Sequence, residues 1–141
     1  MNPTRMFIGI AAVAMAILSM YMFQQQHNLG KTPEMALRTC VEAIKDGDMR
    51  TFSQYTIDGD TFWKEWKKAS REEKDMVQAM LPFMIGDIYY FNYYVTEEEI
   101  VDDKATLWVD VKYESTESEP VKYYMRKEGS TWKFENTDNI Y

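Results

Sequence analysis

Few side chains in this 141-residue chain carry the types that catalysis, metal binding or redox chemistry uses. There is one cysteine, Cys40, and one histidine, His27. A lone cysteine forms no intramolecular disulfide and no thiolate-based zinc cluster, and one imidazole does not build a histidine-rich metal site. Cys40 falls in an apolar row, where a thiol packs as a small hydrophobe. The carboxylates gather in runs, Glu97–Glu99 and Asp102–Asp103, without the glycine and spaced ligands of a calcium loop. They read as hydrated strand ends. The eleven methionines are scattered, and those within Met76–Met84 keep the spacing of core positions rather than of a copper site. No cofactor or metal is expected.

Two sets of residues remain as candidates. Tyr55, Tyr90, Tyr94 and Tyr123 carry phenols that line a pocket if burial leaves their tips facing inward. Trp63 and Trp66 stand beside Lys64, Lys67, Lys68 and Arg71, with Lys74 continuing the row, as a surface for anionic headgroups or an acidic partner. Glu65, Glu72, Glu73 and Asp75 are interleaved, which is also the pattern of an ordinary solvated face.

Charge narrows the classes. Arg5 is the sole charged side chain before Lys31, so the remainder holds 15 basic and 23 acidic residues, a net of −8. Nucleic-acid binding draws its affinity from Lys and Arg neutralising phosphates, so no nucleic-acid partner is expected.

The elements that would position these residues begin at the amino terminus. Residues 6–23, MFIGIAAVAMAILSMYMF, form an uncharged run whose helical length of about 27 Å is just enough to cross a bilayer core. The run ends in bulky Tyr21-Met22-Phe23 rather than the small residues of a cleavage site. Residues 1–23 are therefore read as an uncleaved single-pass membrane anchor, with secretion after signal cleavage as the alternative. Arg5 places the amino terminus in the cytoplasm and the domain outside it. Ala12 and Ala16 make a small-xxx-small pair through which two anchors could approach as a homodimer. Residues 24–31, which include His27, read as a polar tether, and residues 32–141 as one domain.

Within that domain, Thr32 is placed to cap a helix with Pro33 at its first position and Glu34 in its first turn. Leu37, Cys40, Val41 and Ile44 form its apolar stripe, Gly47 its left-handed stop, and Asp48 the cap of a second helix burying Met49 and Phe52. Thr56–Asp60 reads as a turn and Thr61–Ala69 as a short helix. Ser70 and Glu73 make a capping box for a helix to about Met84, with Met76, Val77, Met80, Leu81 and Met84 facing the core and Pro82 kinking or ending it. From Asp87 the period changes to two. Asp87–Val101 reads as a long aromatic strand with both faces aromatic, followed by strands over Ala105–Glu114, Val121–Arg126 and Thr131–Glu135. Short polar links make these an antiparallel meander, so the fold class is α+β with helices packed on about four strands.

A capped helix with P-E-x-A-L, a Gly-Asp break, further helices and a meander ending in G-x-x-W-K-F resemble the NTF2-like, cystatin-type superfamily. Small exported DUF4878-type or lumazine-binding-like bacterial domains are most similar. The resemblance rests on Thr32–Tyr55, Ala105–Tyr113 and Val121–Phe134. It implies helices packed into a strongly curved sheet as a cone, often with a pocket at the wide end. The superfamily contains enzymes, small-ligand binders and scaffold domains of membrane assemblies, including single-anchor components of secretion machines. An isomerase-like site needs a carboxylate base in an apolar pocket facing a tyrosine or protonated acid. Asp110 falls on the strand face opposite Leu107, Val109 and Val111, and no carboxylate is assigned to the inward face. The expectation is therefore a non-catalytic, membrane-anchored extracytoplasmic domain that binds a protein partner or cell-envelope component. The alternative is a small-ligand binder using the tyrosine-lined cone.

Overall fold

The structure, a computed structural model, describes residues 29–113 and 119–138. The proposed anchor, residues 24–28 of the tether, part of the link before Val121 and the last three residues lie outside the described residues. Among the described residues no helix is long and apolar enough to cross a membrane.

Among the described residues four α-helices precede a four-stranded sheet. Helix α1 spans Pro33–Asp46, with the Thr32 hydroxyl accepting from the Met35 N–H and Pro33 at the first helical position. Gly47 ends it at φ 70°, where the missing Cβ removes the steric cost of a left-handed residue. The Asp48 carboxylate then accepts from Thr51 N–H and caps α2, Met49–Gln54. Helix α3 spans Gly59–Lys68, two residues earlier than the expected start, because Asp58 takes a left-handed turn and lets Gly59 begin the helix. Helix α4 spans Arg71–Ile85, capped by Ser70. It runs through Pro82 instead of ending there: the carbonyl that proline frees belongs to Gln78, which is exposed and open to water.

The sheet is an antiparallel meander in the order β1-β2-β3-β4, formed by Tyr93–Val101, Lys104–Val111, Val121–Glu128 and Thr131–Thr137. Ala105, Leu107, Val109 and Val111 of β2, Tyr123 and Met125 of β3, and Trp132 and Phe134 of β4 are buried. The expected period-two alternation is therefore realised. Leu37, Cys40, Val41 and Ile44 of α1 meet this face, packing most closely against β4. Bulges between Val95 and Glu97 and between Tyr124 and Met125 break the register, and such insertions bend and twist their strands.

Two expectations need correction. The strand expected from Asp87 begins only at Tyr93; Gly86–Tyr89 forms a 3-10 turn instead. The Asp87 carbonyl accepts from both Tyr90 N–H and Phe91 N–H, winding this segment inward and burying Ile88 completely. Alternating aromatics over so short a run fit a strand and a turn equally well. The second correction concerns α4. Leu81, Pro82 and Ile85 face the core, while Met76, Met80 and Met84 are exposed. Both helical rows are apolar, and the row that leads into Ile88 is the one buried.

The chain ahead of α1 is fixed to the sheet. Trp132 N–H donates to the Gly30 carbonyl at 2.8 Å, and Gly30 is buried. A Cβ there would lie 2.5 Å from Thr131 Cγ2 and 3.0 Å from Tyr55 Cε1, so only glycine fits without displacement. Next to it, Thr56 makes a parallel bridge to Phe134, with Phe134 N–H donating to the Tyr55 carbonyl and Ile57 N–H to the Phe134 carbonyl.

Candidate functional site

The four tyrosines expected to line one pocket are dispersed by the fold. Tyr123 is fully buried and donates to the Ile85 carbonyl at 2.5 Å, so its phenol ties β3 to the end of α4. Tyr55 is half-buried against Gly30, and burial raises its pKa. Tyr90 and Tyr94 are 53% and 56% exposed. Tyr90 stacks edge-to-face with Tyr89, ring centroids 4.9 Å apart. Lys112 Nζ sits 5.1 Å from the Tyr94 ring centroid. Buried Tyr123 fills the interior rather than facing a ligand.

Exposed aromatics gather instead where the 3-10 turn leads into the edge strand. Tyr90, Phe91 and Tyr94 stand in solvent around half-buried Tyr93. Beside them runs an open groove of about 340 Å³, walled by Arg38, Glu42 and Lys45 of α1 and by Phe91, Asn92, Tyr93 and Tyr94. These positions follow from local geometry. Arg38, Glu42 and Lys45 share one face of α1, flanking its buried stripe, while Tyr93 pairs with Val111 and so points toward α1. Arg38 donates through Nε and a terminal nitrogen to Glu34 at 3.2 and 3.0 Å, with its guanidinium carbon 4.7 Å from the Tyr93 ring centroid. The guanidinium is therefore held by a carboxylate and an aromatic face together. Burial pushes the Tyr93 phenol up to about 12, against a lowering by Arg38. Within this groove both charge signs and four aromatic or amide groups come together.

The tryptophan and lysine set is also placed by the structure. Trp63 and Trp66 are half-buried on α3, and Phe62 stacks on Trp66 with ring centroids 6.0 Å apart. Lys67 Nζ lies 5.9 Å and Arg50 6.0 Å from Trp63, and Lys74 Nζ 5.5 Å from Trp66. Lys64, Lys68 and Arg71 are exposed. Part of the basic row is thus engaged by the chain's own indoles.

One feature escaped the sequence reading. Asp87 is 7% exposed, and Tyr113 donates its phenolic hydrogen to the Asp87 carboxylate. Burial and this carboxylate push the Tyr113 phenol up to about 12. An inward carboxylate beside a tyrosine is the pairing an acid–base site requires. Neither residue lines the aromatic groove, and the pair instead joins the 3-10 turn to the segment that follows β2. The available signal was Gly86-Asp87 before the aromatic run: Gly86 takes φ 82°, which turns the chain before Asp87. Cys40, as expected for a core thiol, is fully buried, donates to the Tyr55 carbonyl, and is pushed by burial up to about 12.

Comparison with protein-family models, curated proteins and solved structures found no match. The functional reading therefore rests on the geometry alone. Among the described residues no group of three His, Cys, Asp or Glu side chains is arranged to hold a metal ion.

Proposed function

We propose that the chain is a non-catalytic, single-pass membrane-anchored domain, held outside the cytoplasm by residues 6–23, that binds a protein partner or cell-envelope component. The observation that carries this reading is an exposed aromatic patch set apart from the buried aromatic core: Tyr90, Phe91 and Tyr94 are exposed while Tyr123, Trp132 and Phe134 are buried. Tyrosine and arginine are enriched where binding energy concentrates, because they offer a large contact area and directional polar tips. Arg38 and Tyr93 are already held together beside the patch, which lowers the entropy cost of engaging them. Strand β1 adds a sheet edge, since β2 is its only partner among the described residues, and an extended peptide can pair with such an edge. As to the finer fold, the order of capped helices and then a meander, with two bulges, supports the NTF2-like cone.

The small-ligand alternative draws support from one observation, the open groove of about 340 Å³ bordered by Tyr93 and Tyr94. One experiment separates the two readings. The full chain, carrying a photo-crosslinking residue in place of Tyr94, is irradiated in native cells and its adducts are identified by mass spectrometry. A protein or envelope-polymer adduct supports the proposal, and Phe91→Ala should then weaken that partner's affinity about ten-fold. A small molecule that co-purifies with the wild type and is lost from Tyr94→Ala would establish the alternative. Neither outcome would leave both readings without support.

A further inference from the structure

The outward face of α4 has no part in the aromatic groove, yet it is the more apolar surface. Met76, Met80, Phe83 and Met84 are 64%, 57%, 54% and 53% exposed and occupy neighbouring positions on successive turns. A row of this kind is costly in water and marks a surface that something covers. The row opens into a second groove, about 230 Å³, between α2, α3 and α4, walled by Phe52, Ile57, Phe62, Val77, Met80 and Met84.

The start of the described chain says what lies nearby. Gly30 packs on Tyr55 and is hydrogen-bonded to Trp132, and Thr56, next to Tyr55, is on the wall of this groove. Only residues 24–28 separate Leu29 from the apolar run 6–23. The six steps from Phe23 to Leu29 reach at most about 22 Å even when extended. Whatever holds residues 6–23 therefore stays within that reach of Leu29, the neighbour of the Gly30 that packs on Tyr55 beside Thr56.

We propose that the exposed face of α4 and its groove lie against the bilayer that holds residues 6–23, with Met76, Met80, Phe83 and Met84 entering the boundary between headgroups and acyl chains. This rests on reading residues 6–23 as a membrane anchor. Unbranched, polarizable methionine side chains adapt to a fluid lipid surface that offers no fixed shape to complement. The contact is apolar, not electrostatic: residues 31–141 carry a net charge of −8, so zwitterionic lipid suffices. Anchor and helix then form two attachments, which fix the orientation of the domain and not merely its location.

The test uses the full chain reconstituted in phosphatidylcholine vesicles, with Met80→Cys, Met84→Cys or Glu99→Cys carrying an environment-sensitive fluorophore. Cys40 is fully buried and leaves labelling to the introduced thiol. Glu99 lies in the exposed acidic run of β1 and serves as the water-facing reference. At Met80 and Met84 the emission should shift to the blue and be quenched roughly two-fold by lipids bearing a nitroxide near the headgroup, unaffected by raised salt. At Glu99 neither change is expected. A chain that stays with the vesicles through alkaline carbonate but leaves the Met80 and Met84 probes in water overturns this proposal and retains the anchor. A chain released by carbonate overturns the anchor and this proposal with it. A blue shift without lipid quenching means that protein fills the groove, from residues 1–28 or a second copy, and also overturns it.

Discussion

Asp87 is the carboxylate that folding takes out of water among the described residues, and the Tyr113 phenol answers it. Removing that hydroxyl leaves a buried charge short of a partner, which costs more than the bond itself contributes. Tyr113→Phe should destabilise the chain by about 1–3 kcal/mol in urea unfolding. Cys40 gives a sharper residue-level expectation. Its thiol is fully buried and pushed up to about 12, so a thiol reagent should modify almost none of it in the native chain and all of it in denaturant. Labelling of the native chain at the rate of the unfolded one would contradict the placement of α1 against β4. Cys40 was legible in the sequence because its neighbours Leu37, Val41 and Ile44 repeat at helical spacing. Asp87 was not, because a carboxylate inside an alternating aromatic run reads as one more outward position on a strand.

Caps and stops were the most legible parts of the helices. Thr32, Asp48 and Ser70 each place a side-chain oxygen on a backbone N–H three residues on, an interaction that depends only on local sequence. The rotation of α4 was not legible, since it depends on which of two apolar rows meets Ile88. That rotation is testable by contrast. Leu81→Ala removes a buried side chain and should cost about 2–5 kcal/mol, whereas Met80→Ala, on the exposed row, should stay within about 0.5 kcal/mol in the same urea titration. If Met76, Met80 and Met84 were the buried row, the order would reverse. Helix α3 supplies a second contrast. A Cβ on Gly59 would fall 1.6 Å from the Ser53 carbonyl oxygen, a backbone atom that cannot swing aside. Gly59→Ala should therefore cost about 3 kcal/mol or more and separate α3 from α2.

At the scale of the molecule, the pKa shifts set where pH acts. Cys40, Tyr93 and Tyr113 all have folded values raised to about 12, from ordinary values of 9.0 for the thiol and 10.0 for the phenols. Their contributions are complete below those ordinary values and are lost as pH rises through about 12, because the unfolded chain releases these protons first. Melting temperature should thus fall steeply between pH 9 and 12, and less steeply in Tyr113→Phe. Asp48 acts in the opposite direction: its bonds to Thr51 lower its pKa, so its contribution is present above 3.8 and lost as pH falls through the folded value. The meander was legible at this scale because the three later strands alternate and the links are polar. The surfaces were not, since exposure is a property of the assembled whole. The two sheet edges differ in a way that bears on assembly. Over Trp132–Phe134 the outer edge of β4 is taken by Gly30, Tyr55 and Ile57, whereas β1 has no second strand beside it among the described residues. A sheet open on both sides can add copies without end, as fibres do. Covered over Trp132–Phe134, the sheet of the described residues has one fully open edge, so edge pairing through β1 would favour a pair over an unending row.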